Sequence, residues 1–237
     1  MKAIVQDRYG SADVLQLREV EQPEIGDDEV LVRVHAGGVD RGVWHLMTGV
    51  PYLMRVIGFG FRAPKDPIRG TDFAGRVEAV GKDVASVRVG DEVFGECNGS
   101  YAEYVRVHQD KLASKPANLS FEQAAAVPTS AVTALQGLRD HAKVQPGQRV
   151  LVIGASGGVG TFAVQIAKAF GAEVTGVCST RNVEMVRSIG ADHVFDYKQE
   201  DYTKSGHRYD LVVDMVGNHS IRRNLDVLTP NGTLVLV

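Results

Sequence analysis

The 237-residue sequence predicts an α/β protein in two halves, a mostly β first half followed by a doubly wound parallel sheet with helices on both faces. Three observations carry this. Up to Ala113 the chain is a series of short apolar runs broken by Gly and Asp. After Pro116 the composition turns Ala- and Leu-rich. From Arg149 onward, apolar strands alternate with helical segments of about ten residues, a pattern that right-handed crossovers fold into a parallel sheet. The expected division is 1–118 and 119–237, without an internal repeat or a low-complexity linker.

Along the first half, Val30, Val32 and Val34 alternate with Leu31, Arg33 and His35 within a strand expected over Glu29–Val39. Phe73–Gly81, Gly90–Glu96 and Tyr101–His108 are read the same way, giving a partly open β-barrel or sandwich. Helices begin in Leu119–Ala142, with Ser120 placed to cap and Glu122 in the first turn. The alternation that follows predicts strand Arg149–Gly154, helix Val159–Phe170, strand Glu173–Val177 and helix Asn182–Ile189. Strands His193–Tyr197 and Tyr209–Val216, a helix near Ser220–Leu228 and strand Thr233–Val237 complete it. The expected strand order is 3-2-1-4-5. This leaves Thr233–Val237 as an apolar edge that another chain would cover by β pairing.

Composition removes several function classes. A net charge of −3 with no basic run argues against a nucleic acid or a membrane surface held by bulk electrostatics. Cys97 and Cys178 are too few for a four-thiolate zinc site or a disulfide framework. The opening MKAIVQDRYG carries Asp7 and Arg8, so it lacks the apolar core of a secretory signal, and a cytoplasmic protein is expected. The uncharged stretch Val150–Ala167 is broken by glycines, Ser156, Thr161 and Gln165 and is read as a turn between buried elements, not a membrane span.

That turn carries the chemistry. In VLVIGASGGVG, Val150–Gly160, an apolar strand meets a glycine-rich loop that opens a helix. Glycine allows a tight turn and close approach of the backbone to a pyrophosphate, and the helix N-terminus offers free N–H groups and the positive end of its dipole. Ser156, Gly157, Gly158, Val159 and Gly160 are the expected contacts of a dinucleotide. At the end of the next strand, Ser179, Thr180 and Arg181 supply donors, and no carboxylate follows until Glu184. A 2′-phosphate is therefore welcome there, and NADP(H) is preferred over NAD(H). The plainer reading of Arg181 is a solvated charge at a helix start.

RGTDFAGRVEAVG, GDEVFG, AAAVPTSAVTALQGL, VLVIGASGGVGTFAVQIAKAFGAEV and GADHVFDY, in this order, resemble the medium-chain dehydrogenase/reductases. Within them the whole chain is most similar to the zinc-free quinone oxidoreductase, or zeta-crystallin-like, branch. The resemblance implies a GroES-like β-barrel domain and a Rossmann domain that lacks its last strand or strands. Where zinc-dependent relatives carry their ligands, this chain has Val39 and Asp40, then Thr71 and Asp72, and the lobe with four structural cysteines is missing. No metal is expected, and scattered histidines such as His35 and His108 are read as strand-surface residues.

The resemblance further implies NADPH-dependent hydride transfer to a small apolar quinone or α,β-unsaturated carbonyl. It places Asp40, where relatives usually carry Asn, beside the nicotinamide, and offers Tyr52 as a hydrogen-bond donor to the substrate carbonyl or as an amphipathic loop residue. Thr133 would lie near the nicotinamide, Tyr197 near the 2′-phosphate, and Val216, Gly217 and Asn218 at the C-terminal edge of the sheet. The plainer alternative for Thr133 is an ordinary helix threonine. The apolar stretch Val50–Pro64 is read as pocket lining, a cap or core filling. Relatives run on past the fifth strand, so a truncated chain with weakened catalysis is expected, with a homo-oligomer, a dimer in the family. Rival readings are an NADP(H)-binding protein without turnover, structural or redox-sensing, and an alcohol dehydrogenase-like reductase.

Overall fold

Valine alternation builds the first sheet. In the computed structural model, which describes residues 1–217 and 220–237, Val30, Val32, Phe73, Val77, Val93, Val105 and Val107 meet in one core. The strands that bring them there are β3 (Glu29–Gly37), β4 (Asp72–Val80), β5 (Glu92–Glu96) and β6 (Tyr104–His108). With β7 (Leu112–Ser114) they form an antiparallel sheet in the order β6-β3-β4-β5-β7. A separate hairpin pairs β1 (Lys2–Val5) with β2 (Gln16–Glu19). Helix α1 (Arg41–Thr48) follows β3, and α2 (Phe121–Ala125) packs Ala124 and Ala125 on Ala74.

Compact unit 1 runs to Thr129, past the expected boundary at 118, because α2 belongs to this β half. The Ala-rich stretch is not one helix. Ser120 caps α2 with a reciprocal Ser120–Gln123 capping box, Pro128 opens α3 (Pro128–Leu135), and a π-helical turn follows over Gln136–His141. The core-filling reading of Val50–Pro64 is also corrected. Leu53, Val56, Ile57 and Phe61 are each about two-thirds exposed or more within unit 1.

Unit 2, Ser130–Val237, is the doubly wound domain. Its strands are β8 (Arg149–Ile153), β9 (Glu173–Cys178), β10 (His193–Asp196), β11 (Tyr209–Asp214) and β12 (Leu228–Leu236), all parallel. Their order, β10-β9-β8-β11-β12, is the expected 3-2-1-4-5. Helices α4 (Gly158–Ala169), α5 (Val183–Ser188) and α6 (Ile221–Leu225) connect them. Period-2 alternation in β8 sends Val150 and Val152 into one core, with Ala163, Val164 and Ala167 of α4, and Leu151 and Ile153 into the other. A sheet buried on both faces explains why its strands read as continuous apolar runs. Among the described residues no helix is long and apolar enough to cross a membrane.

Candidate functional site

The turn from β8 into α4 is shaped by close backbone approach. Gly154 takes φ +83°, and a Cβ on Gly160 would stand 2.1 Å from the Gly154 carbonyl oxygen, so only glycine lets this helix start pack against the strand. At Gly157 the nearest atom to an added Cβ is 3.4 Å away and the residue is exposed, so the restriction there is not internal packing. Gly157 is the N-cap and offers no side-chain cap, and the amides of Gly158, Val159 and Gly160 have no acceptor among the described residues. Unpartnered amides at the positive end of a helix dipole suit an anion, and the diphosphate of a dinucleotide fits that donor set. Behind the turn, Ser130 lies under Gly158, one helical turn before the half-buried Thr133.

Asn182, which the sequence reading did not single out, fastens the turn to the next strand end. Its Nδ2 donates to Ser156 Oγ at 3.0 Å and to Ser179 Oγ at 3.3 Å. Arg181 is exposed and has no hydrogen bond or ion pair among the described residues. The expectation that no carboxylate stands near Thr180 before Glu184 is corrected. Parallel pairing of β10 with β9 sets Asp196 beside Cys178, and Thr180 hydrogen-bonds to Asp196. Asp196 also accepts from Lys198 N at 3.0 Å and Gln199 Nε2 at 2.7 Å, and these bonds, that from Thr180 foremost, hold its carboxyl below its ordinary range. Tyr197, next in the chain, is exposed.

At the end of β11 the buried Asp214 fixes the turn. Its Oδ1 accepts from Val216 N at 2.9 Å and Gly217 N at 3.0 Å, and its Oδ2 from Asn224 Nδ2 at 2.8 Å. Tyr202 donates to Asn224 Oδ1 at 2.9 Å, continuing the network. Val216 is thus held with its side chain exposed, whereas Asn218 lies outside the described residues.

In unit 1, Asp40 is the N-cap of α1. Its Oδ1 accepts from Val43 N at 2.9 Å and its Oδ2 from Thr71 Oγ1 at 3.1 Å. Asp72 is 2% exposed and is held by Thr129, whose N and Oγ1 donate to it at 3.0 and 2.5 Å. Burial pushes the Asp72 carboxyl up to about 6 against those hydrogen bonds, with the charges of Asp40 and Glu96 adding to the rise. Burial, then the charge of Asp72, pushes the Cys97 thiol up to about 12. Among the described residues no three His, Cys, Asp or Glu side chains are grouped to hold a metal ion. Tyr52 is 70% exposed; its ring faces the Arg55 guanidinium at 4.8 Å, and its hydroxyl has no partner among the described residues.

Two family descriptions match the chain: "Alcohol dehydrogenase GroES-like domain" over residues 26–117 and "Zinc-binding dehydrogenase" over 158–237. The quinone oxidoreductase of Homo sapiens is 33% identical over 247 residues, covering 100% of this chain and 73% of its own length. The chain belongs to the medium-chain dehydrogenase/reductase superfamily, in its quinone oxidoreductase branch. Members of this superfamily work with a nicotinamide cofactor. The 2-methylene-furan-3-one reductase of Solanum lycopersicum is 36% identical over 251 residues; all of this chain aligns, but it spans 62% of that relative. The quinone oxidoreductase structure from Coxiella burnetii superposes with a TM-score of 0.88 at 33% identity, over 99% of this chain and 74% of that one.

Proposed function

We propose that the chain serves as an NADP(H)-dependent, metal-free reductase that delivers a hydride to a small apolar quinone or α,β-unsaturated carbonyl. The observation that carries this is the uncapped first turn of α4, tied through Ser156 and Asn182 to the end of β9. The names of two relatives support the acceptor class, since a 2-methylene-furan-3-one and a quinone both conjugate a C=C bond to a carbonyl.

In this reading the amides of Gly158, Val159 and Gly160 hold the diphosphate, with Ser156 and Gly157 closing around it. Arg181, Ser179 and Tyr197 receive the 2′-phosphate, the exposed guanidinium of Arg181 providing a planar fork with no competing ion pair. The carboxylate of Asp196 accepts from Thr180, Lys198 N and Gln199 and forms no ion pair with Arg181 among the described residues. Thr133, Val216 and Gly217 flank the nicotinamide. When bound, the reduced nicotinamide supplies a hydride to an electron-poor carbon. Tyr52 donates to the developing oxyanion, and Asp40, with both oxygens engaged, positions α1.

Metal-free chemistry is supported by the same residues: Asp40 and Asp72 spend their oxygens on Val43, Thr71 and Thr129, and Thr71 offers a hydroxyl in place of a strong ligand. The cytoplasm suits a protein whose Cys97 and Cys178 are unpaired. The test is NADPH consumption with a simple ortho-quinone and with an enone. Turnover that is unchanged by a chelator supports the proposal. Tight NADPH binding with no acceptor consumed would instead make this a binding protein.

A further inference from the structure

Arg69 is a buried cation that forms no ion pair among the described residues, and its backbone is locked on both sides: Arg69 N donates to Ile4 O at 3.2 Å and Arg69 O accepts from Tyr101 N at 2.9 Å. The residue is 5% exposed. Its side chain makes one hydrogen bond among the described residues, from Nη1 to Leu46 O at 3.3 Å, and its buried Nε has no acceptor. Asp66 lies close enough to act on it through space but forms no ion pair with it among the described residues. Tyr9 is also near, with its hydroxyl already donated to the carbonyls of Phe59 and Gly60. A guanidinium stays protonated, and burying one unpaired is costly, so its place in a fold calls for an anion.

Arg69 lines a cavity of about 180 Å³. Leu46, Phe59 and Ile68 supply its apolar wall, and Lys65, Asp66 and Arg69 its charges. Two cations against one carboxylate leave one positive charge unmatched. We propose that this cavity is a binding site for a monocarboxylate with a short hydrocarbon chain, its carboxylate on Arg69 and Lys65 and its chain against Leu46, Phe59 and Ile68. The planar guanidinium fork matches a carboxylate in two hydrogen bonds. One unmatched charge selects a monoanion over a phosphate dianion. The volume is that of roughly six waters, which limits the occupant to about four to six carbons. Every group in the site lies in unit 1 and none belongs to the dinucleotide turn; Thr71, which donates to Asp40, is the one lining residue that the reductase reading also uses.

Calorimetric titration of the chain with hexanoate, 1-hexanol and inorganic phosphate tests it, in the wild type and in Arg69→Met. Saturable hexanoate binding is expected, with hexanol and phosphate at least about tenfold weaker and Arg69→Met weakening hexanoate by about tenfold or more. The variant should keep the wild-type Tm or exceed it, because it removes an unpaired buried charge, and should bind NADPH as the wild type does. An Arg69 that serves only to hold the Leu46 carbonyl would instead lower the Tm and leave no hexanoate site to lose. If Arg69→Met does not fold, Lys65→Ala gives the second reading, with hexanoate expected about threefold weaker. No hexanoate binding, equal binding of hexanol, tighter binding of phosphate, or variants that bind hexanoate unchanged would each overturn the proposal.

Discussion

Asn182 Nδ2 stands 3.0 Å from Ser156 Oγ, so a residue that begins α5 holds the loop that begins α4. The same amide reaches Ser179 Oγ at 3.3 Å, which makes Asn182 the link between the phosphate turn and the strand end where nucleotide choice is made. Asn182→Ala removes neutral hydrogen bonds worth about 1 kcal/mol. NADPH affinity is expected to fall by about fivefold, with Tm lowered by a few degrees, in a fluorescence titration paired with thermal unfolding.

The two ends of the glycine turn respond differently to a methyl group. Gly160→Ala forces a Cβ to 2.1 Å from a carbonyl oxygen and is expected to cost about 1–3 kcal/mol of stability. Gly157→Ala meets nothing closer than 3.4 Å, so the fold should hold while the added methyl stands where the diphosphate would sit. Equal loss of NADPH binding and of stability in both variants would show that the turn is structural only.

Asp72 gives stability an unusual pH slope. Its carboxyl is raised to about 6 in the folded chain, against an ordinary value of about 3.9 once unfolded. Between those values the folded state holds a proton that the unfolded chain has released, so this group's contribution to stability declines as pH rises from about 4 to about 6. The loss is about 3 kcal/mol at most. Asp72→Asn, measured by urea unfolding over that interval, should lack the decline; parallel slopes for the two proteins would contradict it.

With its thiol at about 12, Cys97 should react with an alkylating reagent at about pH 8 on the order of a thousandfold more slowly than a free cysteine, and normally after denaturation. Mass spectrometry of the alkylated native protein reads this directly.

Local signals carried the sequence reading a long way. Valine alternation located β3 and β4, Ser120 marked a helix start, and glycine spacing in Val150–Gly160 marked the turn, because period and steric demand are written in neighbouring residues. Strand order 3-2-1-4-5 also emerged, since connection rules leave few alternatives. What escaped depends on register between distant segments. Asp196 is remote from Thr180 in the chain but adjacent across β9 and β10, and Asp214 meets the Val216 turn together with Asn224 only once α6 is placed. Arg69 carried no sequence signal of its burial, because nothing in its neighbours announces that Leu46 will close over it. The apolar Val50–Pro64 stretch carried no signal of its exposure, as hydrophobicity alone does not separate a core from a patch.

The most direct test of the account is a side-by-side fluorescence titration with NADPH and NADH, on the wild type and on Arg181→Ala. A charge-assisted pair with the 2′-phosphate predicts that NADPH binds the wild type more tightly, and that the variant loses about 10- to 100-fold of NADPH affinity with NADH unchanged. Failure of NADPH to bind, or an Arg181→Ala protein that keeps its full preference for NADPH, would contradict it.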